Sequence, residues 1–192
     1  MAPGYRVPTN VELAAAAETI VVAVVEGERP GLRPYDGAVV ARPVLTIKGV
    51  NASSPIIIEG AALEETAGRR ATRSDPRELH EANPDALMGG CVRYIFAKGM
   101  RLVLFLKRND EGALVPYRSS FSRDAEDVPA DDSLWVRAVR EYAAIGALSR
   151  AERKERLTAR MAELTALGDA DSLALAKDMQ RERSGKRLSP YD

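Results

Sequence analysis

The chain has one cysteine, Cys91, and one histidine, His80, in 192 residues. A lone cysteine excludes an internal disulfide, so pairing carries no information about the redox character of the compartment. The same scarcity excludes the usual zinc centres, which draw their ligands from several Cys and His residues. No metal or other cofactor is expected. A Ser-His-Asp triad would have to use His80, and no G-x-S-x-G elbow is present. Charge of one sign is also missing. The 28 basic residues are matched by 28 acidic ones, and the balance holds in both the first 127 residues and the remainder. Neither part has the basic excess that nucleic-acid binding usually demands. Long apolar runs are missing too. Residues 14–25 are apolar but interrupted by Glu18, too short to span a bilayer, and without the basic flank and cleavage site of a signal peptide.

What is present is an ordinary globular composition. The chain is 45% apolar and 29% charged, which excludes disorder throughout. Its length supports a single core without disulfides or metals.

The first half reads as strands. Thr9 followed by Glu12 has capping-box spacing, and the alanines after it predict a short helix over 10–18. "TIVVAVVE" (19–26) is too rich in valine for a helix and reads as a strand. "GERPGLRPYDG" (27–37) has two prolines and three glycines and reads as a turn-rich loop. A second strand spans 38–48, with Pro43 expected at an edge or bulge because it lacks a ladder donor. "PIIIEG" (55–60) is a short third strand. Residues 61–90 lack apolar periodicity and read as a long loop with a helical turn near 76–81, of a length that is usually functional or mobile. Residues 91–97 and 101–108 read as an antiparallel hairpin around "KGM", and 113–119 as a last strand.

From Asp131 the period changes to that of a helix. Trp135, Val139 and Tyr142 share one face and are expected to dock the first C-terminal helix. Asp131 or Asp132 is expected to cap it. Ser149 with Glu152 is a second capping box, with Leu157, Met161 and Leu164 following at helical spacing. Gly168 suits a C-cap. Asp171 or Ser172 is expected to open a third helix carrying Leu175 and Met179. Ser189 and Pro190 form a helix-start signature near the last residue, Asp192. The expectation there is a disordered tail or a further helix in a longer chain. Strands first and helices last argue for an α+β fold. Five or six short strands joined by turns fit a small OB-like antiparallel β-barrel followed by a C-terminal helical extension. The expected division is 1–127 for the barrel with its N-terminal helix, 128–187 for the helices packed on it, and 188–192 for a tail.

The order of three pieces, "AAETIVVAVVEG", "VVARPVLTIKG" and "CVRYIFAKGMRLVLFL", resembles the netrin-type, or tissue-inhibitor-of-metalloproteinase-like, module over residues 10–120. The resemblance implies an OB-like barrel with flanking helices and a secreted or periplasmic protein that binds proteins or polyanions. It also implies that Met1 stands where a leader was removed. The metalloproteinase inhibitors place an N-terminal cysteine on the catalytic zinc. Here no cysteine precedes Cys91, so neither that mechanism nor the family's disulfides carry over.

Each candidate site has a plainer reading beside it. Lys48 in "TIKG" lacks the glycines of a phosphate loop and reads as a strand end before a turn. His80 sits between Glu78 and Glu81, whose charges could raise its pKa, but it reads as a surface residue. Cys91, two residues from Arg93, could be an activated thiol, but it reads as packed at the start of an apolar strand. Residues 118–133 crowd Asp124, Glu126, Asp127, Asp131 and Asp132 without calcium-loop spacing, and read as a polar linker before a helix. On the expected hairpin, Arg93, Tyr94, Lys98, Arg101 and Lys107 form a basic and aromatic candidate binding face. Arg101, Val103, Phe105 and Lys107 share one side of their strand, and Leu102, Leu104 and Leu106 share the other.

The function expected is a non-enzymatic protein-binding module working outside the cytoplasm, with loops 27–37 and 61–90 as contact regions. The alternative is an oligonucleotide- or polysaccharide-binding OB domain using the candidate face. A hydrolase built on Cys91 or His80 is the third reading.

Overall fold

The computed structural model describes residues 5–32, 36–88 and 90–185. The helix-start signature at Ser189 and Pro190, the tail at 188–192 and Met1 lie outside them. The fold is α+β, an antiparallel sheet followed by three helices. Helix α1 (Asn10–Ala16) precedes β1 (Thr19–Arg29), β2 (Ala38–Lys48) and β3 (Ile56–Glu59). Then come the two-residue β4 (Ala62–Leu63), α2 (Glu64–Ala67), a 3-10 turn (Pro84–Leu87) and β5 (Ile95–Phe96). Strands β6 (Arg101–Arg108), β7 (Leu114–Pro116) and β8 (Ala125–Asp127) lead into α3 (Leu134–Gly146), α4 (Arg150–Leu167) and α5 (Ala170–Ser184).

The sheet runs β3-β2-β1-β6-β7, with β8 also on the far edge of β6. Every ladder in it is antiparallel. Its two outer strands, β3 and β7, come within 8 Å of each other between Cα atoms. Among the described residues no ladder joins them, so the closed barrel expected from the strand count is not formed. The expected hairpin around "KGM" is also absent. The short β5 pairs in parallel with β4 rather than with β6, while the turn itself bonds to β1 through Gly99 N–H to Val25 O (2.8 Å). Pro43 lies where β2 bulges between the pairs Val22↔Leu45 and Ala23↔Pro43. β3 covers only Ala38 to Ala41 of the outer edge of β2, so no ladder donor is missed there.

The valine run of β1 is explained by burial on both faces. Ile20 and Val22, with Val103 and Phe105 of β6, pack into an apolar cluster shared with α1 and α3–α5. Val21, Ala23 and Val25, with Leu102, Leu104 and Leu106, face a second cluster with Val39, Ile56, Ile58 and Phe96. A central strand buried on both sides reads as a continuous apolar run rather than an alternating one. Trp135, Val139 and Tyr142 are all buried in the helix-side cluster, as their shared face predicts. That cluster runs from Val11 to Met179 and joins the strand-rich and helical parts in one core.

Helix α1 has seven residues, too few to persist alone. Both of its ends are held from elsewhere in the fold. At its start Thr9 and Glu12 form the expected capping box. The Glu182 carboxylate of α5 accepts the backbone N–H of Asn10 (2.9 Å) and Val11 (3.0 Å). At its end the Lys48 ammonium donates to the carbonyls of Ala14 (2.7 Å) and Ala17 (2.6 Å). A cation on helix-terminal carbonyls also opposes the negative end of the helix dipole.

The C-terminal helices follow their signals with two differences. Ser149 and Glu152 form the second capping box, and Gly168 ends α4 in the left-handed region. Helix α3 starts after Ser133, whose hydroxyl donates to Ala130 O (2.8 Å), so neither Asp131 nor Asp132 occupies the cap position. Helix α5 opens at Asp169, which accepts from the amides of Asp171 and Ser172.

Candidate functional site

The five residues of the expected binding face are not brought together on one surface. Arg93 is 1% exposed. Its guanidinium pairs with Asp127 (2.7 Å) and donates to the carbonyls of Thr72 (2.6 Å) and Ala125 (3.3 Å). It also lies over the Phe96 ring. Tyr94 is half-buried beneath the Arg69 guanidinium, 5.6 Å from the ring centre. Arg101 pairs with Asp131 at 2.6 Å. Lys98 and Lys107 are exposed, and Lys107 lies over the Tyr117 ring. Arg93 would share that face only if 91–97 paired with β6 as a hairpin. With β5 turned toward β4, its side chain enters the interior instead.

The interior it enters is a polar knot. The acidic stretch read as a linker contains β8, and Asp124, Glu126 and Asp127 point inward while Asp131 and Asp132 are exposed. Glu126 accepts the Ser74 hydroxyl (2.5 Å) and the Asn83 amide N–H (2.8 Å). Asp127 accepts the Ser74 amide (2.8 Å) as well as Arg93. Asp85 holds Arg69 (2.8 Å) and the Thr72 hydroxyl (2.9 Å). These bonds tie the long segment 69–88 to the sheet. It is therefore ordered without apolar periodicity, because charged and amide groups do the fastening. Arg123 is buried over the Trp135 ring, 4.3 Å from its centre, with Glu126 3.7 Å away. The Nε atoms of Arg93 and Arg123 have no hydrogen-bond partner. Asp124 is buried and accepts the Ser119 amide (2.8 Å); burial raises its pKa to about 7 against the pull of that bond and of Arg118.

Three residues other than glycine adopt the left-handed backbone region here, Cys91, Arg118 and Phe121. Phe121 N–H donates to Cys91 O (2.8 Å), and Arg118 donates to Arg93 O (3.2 Å). Cys91 is thus half-buried in a strained bend, not packed at the start of a strand. His80 is half-buried, and its pKa is lowered, by burial first and then by Arg181. Those effects outweigh Asp178, Glu78 and Glu81, so its carboxylate neighbours do not raise it. Lys48, as noted, caps α1.

The other feature is a groove of about 500 Å³ between the facing edges of β3 and β7. Residues 50–57 and Glu59 line one side, and 108, 109 and 111–115 line the other. Val50 is 53% exposed at its rim, and Ile57, Leu114 and Val115 are half-buried in its walls. Sequence reading missed this groove because it depends on how the two ends of the sheet meet. The signal available was the shortness of the strand segments at "PIIIE" and "LVP". Of the loops expected to make contacts, 61–90 is fastened over 69–88 as described. In 27–37 the strand continues to Arg29, Leu32 is fully exposed, and residues 33–35 lie outside the described ones.

No family model, no curated protein and no solved structure matches this chain. Among the described residues, no helix is long and apolar enough to cross a membrane.

Proposed function

We propose that this chain is a non-enzymatic interaction module that binds a protein partner through the face where β3 and β7 stand side by side. The reading is supported by the groove between two sheet edges that, among the described residues, have no ladder partner there. Unpaired edges are a standing template for another chain. The strand order β3-β2-β1-β6-β7, with its ends facing, follows the path of a five-stranded OB-like roll left open at its seam. That path supports a netrin-type scaffold, and the netrin-type resemblance supports a partner outside the cytoplasm. The carboxylates around Arg93 hold a loop, and Lys48 holds a helix.

The oligonucleotide- or polysaccharide-binding alternative has less support, because Arg93 is interior and Arg101 is paired. The test is co-purification of the full chain from its source cells, beside an Ile57→Arg variant and a Lys98→Ala, Lys107→Ala variant. A stoichiometric protein, lost with Ile57→Arg and kept with the lysine variant, is expected. Nucleic acid released by salt and lost with the lysine variant would overturn the reading.

A further inference from the structure

We infer that the occupant of the seam is an extended, basic peptide strand of the partner, added antiparallel to both β3 and β7. This rests on the interaction-module reading and names its chemistry. The direction follows from the ladders. β3 is antiparallel to β2, β2 to β1, β1 to β6 and β6 to β7. β3 and β7 therefore run the same way. One strand of opposite direction between them completes the ring with antiparallel ladders on both sides, the same kind that builds the rest of the sheet.

Such a strand enters only if the seam opens. Adjacent strands lie about 4.8 Å apart, and strands flanking a third lie about 10 Å apart. The nearest Cα atoms of β3 and β7 are within 8 Å. An intervening strand therefore needs the seam to open by at least roughly 2 Å. Val115 and Tyr117 bond toward β6 and Pro116 has no N–H to give, so on β7 the new ladder uses the Leu114 amide and the carbonyls of Leu114 and Pro116.

Charge selects the peptide. Glu59 and Glu111 are exposed on the groove lining, and among the described residues neither is in an ion pair. Arg108, the cation on the lining, is already directed to Glu18 (3.8 Å) and to Gly112 O (2.7 Å). The groove thus presents uncompensated negative charge beside the apolar walls of Ile57, Leu114 and Val115. A strand alternating apolar and basic residues meets both. The same glutamates repel an acidic strand.

The test titrates the full chain, at low salt, with three blocked nine-residue peptides. One alternates valine and lysine, one alternates valine and glutamate, and the third is the valine-lysine peptide N-methylated at alternate residues. The expected result is saturable binding of the valine-lysine peptide, with both others at least tenfold weaker. Backbone amide shifts should be confined to 50–59 and 108–116. The double variant Glu59→Lys, Glu111→Lys is expected to fold, since both side chains are exposed, and to reverse the preference between lysine and glutamate. Equal affinity for all three peptides, or a preference the double variant does not change, overturns the inference. If no peptide binds while a partner protein is still captured in an Ile57-dependent way, strand addition fails and the interaction module stands. If the captured protein is indifferent to Ile57→Arg, that reading fails as well.

Discussion

Gly49 shows how much a single position can be fixed by its surroundings. It sits at φ +85°, and a Cβ there would lie 2.3 Å from the Glu18 carbonyl oxygen. Gly49→Ala is expected to cost more than about 2 kcal/mol, because steric overlap adds to the backbone penalty. A denaturant midpoint lowered at unchanged slope would show it. Asp124 gives a pH signature. Its carboxyl ionises near 3.8 when free and near 7 in the fold. The fold therefore binds the proton more tightly, and its stability falls as pH rises from about 4 to about 7, then levels. Asp124→Asn stays neutral and still offers an acceptor to Ser119. Its stability relative to the parent is expected to rise across that window by a few kcal/mol. A constant difference from pH 4 to 8 would show that Asp124 is ionised throughout. Arg93 is the third such position. Arg93→Met leaves Asp127 without its buried cation, and a loss of about 3–5 kcal/mol is expected in equilibrium unfolding.

Among the elements, α1 is the most dependent on others. Glu182→Ala leaves two buried helix amides without acceptors, and Lys48→Met frees the carbonyls at the other end. Each is expected to cost about 1–3 kcal/mol. Hydrogen exchange should quicken over 10–16 before it changes in β1 and β6. This element also shows what the sequence could and could not disclose. Thr9 and Glu12 announced the helix start, because a capping box is local. Glu182, 170 positions after Glu12, announced nothing, because its partnership exists only after α5 packs. The same division holds elsewhere. The bounds of β2 and β6, the faces of β6, the two capping boxes and the Gly168 cap were legible from period and turn chemistry. The pairing of β5 with β4 was not, because a two-residue strand carries no period. β8 was hidden because its glutamate and aspartate look solvated, and their buried partners are Ser74, Asn83 and Arg93, far away in sequence. The candidate site fared least well, since a groove between sheet ends is a property of closure.

At the scale of the whole molecule, the sheet is covered on one face by helices and folded on the other around its own apolar side chains. Ile20, Val22 and Phe105, each wholly buried, lie under the helical layer. A chain ending at Asp127 would expose that face, and it is expected to associate in a concentration-dependent way or be insoluble, as sedimentation would show. The helices complete the core on one side, while on the other no ladder joins β3 to β7 among the described residues. The most direct measurement of contact at the seam between them is amide hydrogen exchange of the chain free and in complex with the partner recovered from its source cells. New protection is expected at Ile57, Glu59 and Leu114, whose amides face the seam, with little change at 98–101. Protection centred on Lys98, Arg101 and Lys107, with β3 and β7 unchanged, would contradict contact through the seam.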